Sequence, residues 1–255
     1  MHKDFRFLDL KVNDAYTNMA VDEAITKARG EGRAPDTLRF YMWKPSAVTL
    51  GYFQSVEDEV NLEALKRFGF NLNRRISGGG AVLNSETGEI TYSVILREND
   101  SRVSTDPVES YHLLCQGIIE ALAVLGVKAD FKPINDIVVA GKKISGNAQI
   151  RRYGAVLHHG TLLLDFDAQQ MFGVLKISKE KLSDKMIQQA EDRVTTIRKL
   201  LGRQIGFPEV RDALEEGYKR TFNANLIRSE LTPYEEELVT QFRARYASRD
   251  WIYRR

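Results

Sequence analysis

The chain has 255 residues, which is enough for one large domain with a sizeable hydrophobic core. Its 37 basic and 35 acidic residues give a net charge of +2, so composition predicts no nucleic-acid or anionic-membrane partner. A single cysteine, Cys115, excludes an intramolecular disulfide and a cysteine-rich metal site. Residues 1–7 lack a signal-peptide pattern, and no apolar run reaches the ~18 residues that span a bilayer. We therefore expect a cytoplasmic protein.

Strand and helix patterns alternate through the first half of the chain. In order, we predict strand 5–10, helix 13–28, strands 37–41 and 47–53, helix 61–68 and strand 90–95. Asn13 or Asp14 is expected to cap the first of these helices, and Gly69 to end the second.

Helices dominate the last third of the chain. After a helix at 108–126 and strands at 136–139, 143–146 and 155–166, the pattern predicts helices over 168–201, 208–222 and 232–247. Thr232 and Glu235 fit a capping box, with Pro233 at the first helical position. The fold class is therefore α+β: a mixed, mostly antiparallel sheet flanked by helices, with a helical C-terminal portion. We expect a single domain over residues 1–255, mostly helical over 168–255.

A glycine-rich turn is the most informative stretch: Arg74-Arg75-Ile76-Ser77-Gly78-Gly79-Gly80-Ala81-Val82. Glycines let a ligand approach the main chain, and successive free N–H groups form an anion-binding concavity. The two arginines could fork onto phosphate or carboxylate oxygens. An ordinary glycine-rich hairpin turn remains the alternative.

Further polar residues lie about 60 positions later. Lys143, in a glycine-bounded run, could reach a phosphate or carboxylate as a compact positive charge, or could be an exposed hairpin lysine. Asn135 and Asp136 open a strand, where this pair often serves only as turn chemistry.

The strand histidines and the cysteine are weaker candidates. His158 and His159 alternate sides, so at most one faces a pocket, and no acidic partner at ligand spacing supports a metal site. A structural, hydrogen-bonded histidine is the alternative. Cys115 falls on the apolar face of its helix, which predicts a buried small hydrophobe.

Taken in order and spacing, four of these motifs resemble those of lipoate-protein ligases. They are the Arg-Arg-x-Ser-Gly-Gly-Gly-Ala-Val turn, Asn-Asp-Ile, Gly-Lys-Lys-Ile-Ser-Gly and His-His-Gly-Thr-Leu-Leu. Residues 18–24 and 50–54 match the same pattern, so the resemblance covers nearly the whole chain. It implies a two-step reaction in which ATP activates lipoate as lipoyl-AMP and a lysine of a lipoyl-domain protein then takes the lipoyl group.

The resemblance also implies roles for residues of this chain. Lys143 would be catalytic, holding the acyl oxygen and the phosphate. Asp136 would position the adenylate or bind Mg²⁺. The substrate and ATP site would comprise Arg75, Ser77, Gly78, Gly79, Gly80, Val82, Leu83, Asn135, Asp136, Lys143, Gly146, Ala148, His159 and Thr161. ATP and Mg²⁺ would be the cofactors and lipoate the substrate. The acceptor would be a 2-oxoacid dehydrogenase acyltransferase subunit or a glycine cleavage H protein.

Two features depart from the ligase pattern. The family commonly follows the glycine turn with an aromatic residue and His-Asp, whereas this chain continues with residues 83–88, Leu-Asn-Ser-Glu-Thr-Gly. Larger ligases carry a small C-terminal domain, for which the sequence shown has no room. We therefore expect either a separate accessory protein or activity without one.

Three other interpretations remain open. Octanoyltransferases share the scaffold and in several cases act through a cysteine thioester, for which Cys115 is poorly placed. Biotin-protein ligases usually carry extra arginines among the glycines. A non-catalytic lipoyl-binding relative has less need of Lys143.

Overall fold

The computed structural model describes residues 3–176 and 184–254. The strands are β1 Lys3–Asn13, β2 Thr37–Trp43, β3 Ala47–Leu50, β4 Asn71–Arg74, β5 Val82–Asn84, β6 Glu89–Arg97, β7 Asp130–Lys132, β8 Asp136–Val139, β9 Lys142–Arg152, β10 Ala155–Leu163 and β11 Ala224–Arg228. The helices are α1 Ala15–Gly30, α2 Val56–Glu59, α3 Leu62–Phe68, α4 Pro107–Val124, α5 Ala168–Val174, α6 Asp184–Arg193, α7 Ile197–Leu201, α8 Phe207–Phe222, α9 Pro233–Tyr246 and α10 Arg249–Ile252.

The strands form a large and a small sheet. The large sheet has the order β11-β1-β2-β6-β10-β9-β8-β7, and the small one the order β4-β3-β5. In the large sheet β1 runs parallel to β2 and β11, whereas the pairs from β2 to β7 are antiparallel. The predicted α+β class, with a mostly antiparallel sheet flanked by helices, is confirmed.

Local signals in the sequence fix several helix ends. The Asp14 carboxylate accepts from the Thr17 N–H at the start of α1, and Asn61 caps α3 in the same way. Gly69 ends α3 in the left-handed conformation. At α9, Thr232 and Glu235 form the predicted capping box.

The C-terminal part differs from the sequence prediction in two ways. The helix predicted over 168–201 is divided among α5, α6 and α7, and residues 177–183 lie outside the described part. The prediction also missed β11, which pairs in parallel with β1. Because β11 is short and mostly exposed, its strand character depends on that long-range pairing and leaves little periodicity in the sequence.

Helices cover both faces of the large sheet. On one face, α4 and α8 pack against a core that includes Phe5, Phe40 and Leu114. On the other face lie α1, α9 and the small sheet, around Tyr41 and Trp43 of β2. None of the helices in the described ranges is long and apolar enough to cross a membrane. The candidate site lies on this second face, where the small sheet meets β9 and β10.

Candidate functional site

A cavity of about 390 Å³ lies between the glycine turn after β4 and the polar residues of β9 and β10. The predicted site residues that line it are Arg75, Gly79, Gly80, Val82, Leu83, Asn135, Lys143, Gly146, Ala148, His159 and Thr161. Three predicted residues are absent from this described lining. Ser77 and Gly78 accept hydrogen bonds from Arg75, and Asp136 forms an ion pair with Lys143. The fold thus brings together motifs that are far apart in the chain.

Arg75 holds the glycine turn closed from inside. Its Nη2 donates to the carbonyl oxygens of Gly78 at 2.7 Å and Gly80 at 2.9 Å, and its Nη1 donates to the Thr49 carbonyl at 3.2 Å. Burial lowers the pKa of the Arg75 guanidinium to about 10. The terminal N–H donors of Arg75, which the sequence suggested for a substrate anion, therefore bond to the protein's own main chain.

Gly79, Gly80 and Ala81 of the turn line the cavity. Gly79 has φ of +97°, a conformation that favours glycine. Within the described residues, the backbone N–H groups of Gly79, Gly80 and Ala81 donate to no protein acceptor. Such a run of N–H groups can bind a negative oxygen atom.

Arg74 is a structural residue. Its guanidinium donates to the carbonyl oxygens of Gly51, Tyr52 and Gln54 and to that of Ile252 in α10. It therefore ties the C-terminal helix to the small sheet instead of facing a substrate.

Lys143 lies at the cavity wall, on the β9 strand. Its Nζ is 2.6 Å from Asp136 Oδ1, and the Lys143 side chain is 43% exposed. Gly146 makes room for this arrangement, because a Cβ there would lie 2.7 Å from both Cε and Nζ of Lys143. Lys143 is thus oriented by a carboxylate and remains accessible from the cavity.

His159 faces the cavity side, where Ser77 Oγ is 2.7 Å from its Nε2. The other ring nitrogen, Nδ1, is 3.3 Å from Oδ2 of Asp22, a buried residue of α1. Burial alone would raise the pKa of Asp22. The charge of Arg39 and the hydrogen bonds from His159 and Ser93 have the larger opposite effect, so the pKa lies below its ordinary value. Asp22 received no role from sequence reasoning, although residues 18–24 carried part of the resemblance.

His158 and Cys115 lie on the opposite face of the sheet. Cys115 Sγ is 3.9 Å from His158 Nε2, and both side chains are fully buried. Burial raises the pKa of the Cys115 thiol well above its ordinary value and lowers the pKa of His158 to about 3. The predicted buried, apolar environment of Cys115 is what the fold produces.

Glu89 is a cavity residue that the sequence analysis missed. Its Oε1 accepts from Asn84 Nδ2 at 2.9 Å and from Thr91 Oγ1 at 3.2 Å. Burial raises the pKa of Glu89 to about 7 despite these hydrogen bonds. At the start of an alternating strand, a glutamate is usually taken for a surface residue, so the pattern gave no signal.

The described lining of the cavity carries little positive charge. Its arginine and lysine side chains are those of Arg75 and Lys143, whereas Glu89, Asp165 and Asp167 supply carboxyl groups. In the described ranges, no group of three or more His, Cys, Asp or Glu side chains could hold a metal ion.

Comparison with known proteins identifies relatives for most of the chain. Residues 14–219 match the family described as "Lipoyl protein ligase A/B catalytic domain". A protein of Kyrpidia tusciae named Octanoyltransferase LipM is 35% identical over 98% of this chain and 99% of its own length.

Two solved structures that resemble the fold are described as lipoate-protein ligases. The bi-partite lipoate protein ligase of Thermoplasma acidophilum, described with its E2 lipoyl domain, has a TM-score of 0.86 and 29% identity, covering 98% of this chain and 96% of its own. Lipoate-protein ligase A bound with ATP has a TM-score of 0.84 and 27% identity, covering 98% of each chain.

These comparisons correct one prediction and confirm another. The resemblance to the lipoate-protein ligase scaffold is confirmed. The activity inferred from it, ATP-dependent ligation of lipoate, is wrong, because curated relatives along the whole chain, at 34–35% identity, are named octanoyltransferases. Sequence motifs shared by the scaffold therefore did not separate the two reactions.

Proposed function

Because the chain belongs to the lipoyl protein ligase A/B catalytic domain family, we propose that it transfers an octanoyl group from a carrier-protein thioester to a lysine of a lipoyl-domain protein. The octanoyltransferase relatives support the reaction type. The structure of an archaeal ligase described with its E2 lipoyl domain supports the kind of acceptor.

The charge of the cavity is the structural observation that carries the proposal. A nucleoside triphosphate needs several cations, but the described cavity lining has only two such side chains, Arg75, which bonds to carbonyl groups, and Lys143, whose charge is partly balanced by Asp136. An acyl thioester is uncharged at the reacting group and suits this balance. The lining also includes apolar side chains that can contact an acyl chain, namely Met19, Val82, Leu83, Leu163, Met171 and Leu175.

The reaction is acyl transfer to an amine. The uncharged ε-amine of the acceptor lysine attacks the thioester carbonyl carbon, and negative charge develops on the carbonyl oxygen. A C–N bond forms, the C–S bond breaks, and the carrier leaves as a thiol with the proton that the amine loses. The products are an octanoylated lysine and a free carrier thiol.

Two features of the site would stabilise the developing oxyanion. Lys143 supplies a positive charge at the cavity wall, and Asp136 fixes its direction. The N–H groups of Gly79, Gly80 and Ala81 supply fixed dipoles, because Arg75 holds the turn by its carbonyl groups. Preorganised groups of this kind need no rearrangement as charge forms.

A cysteine thioester intermediate does not fit the fold. Cys115 is buried on the other face of the sheet, and burial keeps its thiol protonated by raising the pKa. We therefore propose direct transfer from the carrier to the acceptor.

ATP and Mg²⁺ have no step in this proposal. Their support comes from solved ligases such as lipoate-protein ligase A bound with ATP. Asp136 already accepts from Lys143, and thioester transfer provides no phosphate to complete a magnesium shell, so its role as a Mg²⁺ ligand stays a prediction. The accessory protein and the cytoplasmic location also stay predictions.

Mass spectrometry of the acceptor tests the proposal. A purified lipoyl domain is incubated with the protein and an octanoyl-carrier protein, without ATP, and in parallel with free octanoate or lipoate plus ATP and Mg²⁺. We expect modification of one acceptor lysine from the carrier. Modification that requires ATP and the free acid would overturn the proposal. An acceptor whose target lysine is replaced by arginine controls for non-enzymatic acylation.

A further inference from the structure

Asp22 lies at the centre of a buried hydrogen-bond network beside the glycine turn. Its Oδ1 accepts from Arg39 Nη1 at 2.6 Å. Its Oδ2 accepts from Tyr41 OH at 3.0 Å and Ser93 Oγ at 2.7 Å, and lies near His159 Nδ1. Both carboxylate oxygens are thus used, and the residue is only 1% exposed.

A chain of hydrogen bonds connects Arg75 to Asp22 through Ser77 and His159. Arg75 Nε can only donate, so Ser77 Oγ accepts from it at 3.1 Å. The ionised carboxylate of Asp22 can only accept, so His159 Nδ1 carries a proton and donates to it. In the neutral ring Nε2 then accepts, and the Ser77 hydroxyl donates its proton to it.

We propose that Asp22 is a positioning residue for acyl transfer, acting through His159 and Ser77 to hold Arg75 and the glycine turn in the shape that binds the substrate oxygen. The inference rests on the proposed function for its kinetic consequence. The hydrogen-bond chain itself is independent of which reaction the cavity supports.

A nucleophilic Ser77 is the obvious alternative, because hydrogen bonds connect a serine to a histidine and that histidine to an aspartate, as in a catalytic triad. Ser77 is fully buried, however, and it is absent from the described cavity lining. Its oxygen also accepts from Arg75, which lowers its nucleophilicity. The set is therefore arranged to fix the turn and not to attack a substrate.

The tautomer of His159 is the first test. Histidine side chains are labelled with ¹⁵N, and His159 is assigned among the four histidines by a His159→Gln variant. The proposal requires a proton on Nδ1 and none on Nε2 in the resting protein, lost or altered in Asp22→Asn. A proton on Nε2 in the wild type would overturn it.

Kinetics with a matched control give the second test. Asparagine can replace only one of the two accepting oxygens of Asp22, and its NH₂ would face a donor. We expect Asp22→Asn to lower kcat for transfer about 10- to 100-fold, with a smaller change in KM. Asp36→Asn removes an equally buried carboxylate, paired with Arg29 and Arg102, outside the described cavity lining. Equal losses in the two variants would mean that Asp22 is merely structural.

Ser77 variants keep the test decisive if Asp22→Asn folds poorly. Ser77→Ala breaks the chain one step further on, and Ser77→Thr keeps a hydroxyl. We expect the alanine variant to lose kcat, the threonine variant to recover much of it, and Asp22→Asn to add little to Ser77→Ala because both act through one chain. Fully multiplicative losses would overturn the proposal. Absence of ATP-free transfer by the wild type would instead refute the proposed function and leave the tautomer result standing.

Discussion

Lys143 and Asp136 form an ion pair across neighbouring strands at the cavity wall, with Nζ and Oδ1 2.6 Å apart. The pair keeps a positive charge directed at the cavity while both side chains remain partly exposed, so the lysine can contact a substrate carbonyl without a large rearrangement.

Replacing Lys143 with alanine should lower kcat about 100-fold or more, since one preorganised group that stabilises an oxyanion typically contributes this much. Asp136→Asn should have a smaller effect, because the amide still orients the ammonium group. Steady-state transfer from an octanoyl-carrier protein measures both. Wild-type kcat in Lys143→Ala would remove the lysine from the mechanism.

A methyl group on Gly51 should disturb the glycine turn. A Cβ there would lie 1.9 Å from the Gly79 carbonyl oxygen, so the two segments cannot remain in contact. We expect Gly51→Ala to lower the free energy of unfolding by about 1–3 kcal/mol. Gly78→Ala is the control for stability, because a Cβ at Gly78 meets no atom within 4 Å. Denaturant unfolding compares the two variants. Equal free energies of unfolding would show that the backbone at Gly51 and Gly79 adjusts to the methyl group at little cost.

Glu89 should make stability depend on pH. Burial raises its pKa from 4.5 to about 7 in the folded protein, so the unfolded chain loses the proton first. The stabilising contribution is complete below pH 4.5 and is lost as pH rises to about 7, by roughly 3 kcal/mol in total. Glu89→Gln should remove this dependence, whereas Glu63→Gln, at an exposed position, should keep it. An unchanged pH profile in Glu89→Gln would contradict the assignment.

Cys115→Ala should retain transfer activity. The thiol is buried against His158 on the face of the sheet opposite the cavity, so its removal leaves the reacting groups in place. The cavity left in the core should reduce stability modestly. Transfer rates are compared after circular dichroism has shown that the variant is folded. Loss of transfer in the folded variant would indicate a covalent cysteine mechanism.

The sequence predicted what depends on local signals. The end of α3 and the start of α9 follow from Gly69 and the Thr232–Glu235 pair, all within a few residues of the helix they limit. The strand β11 was missed because its pairing with β1 joins residues more than 200 positions apart.

The same distinction applies to the site. Motif residues such as Lys143 and His159 lie at the cavity, as the resemblance to lipoate-protein ligases implied. Two features of the site depend on how α1 and the small sheet pack on the large sheet. Arg75 bonds to carbonyl groups of its own turn, and Asp22 lies next to His159. The transferase names of the relatives also had no signal in the motifs, because the ligase scaffold carries the same motifs.

A two-label competition tests the central claim most directly. One reaction contains the protein, a lipoyl domain, an octanoyl-carrier protein with a ¹³C-labelled acyl group, and unlabelled octanoate with ATP and Mg²⁺. Intact-mass analysis of the acceptor then identifies the donor. Our account predicts that the acceptor carries the ¹³C label, with the same yield when ATP is omitted. An unlabelled octanoyl group whose appearance requires ATP would contradict it.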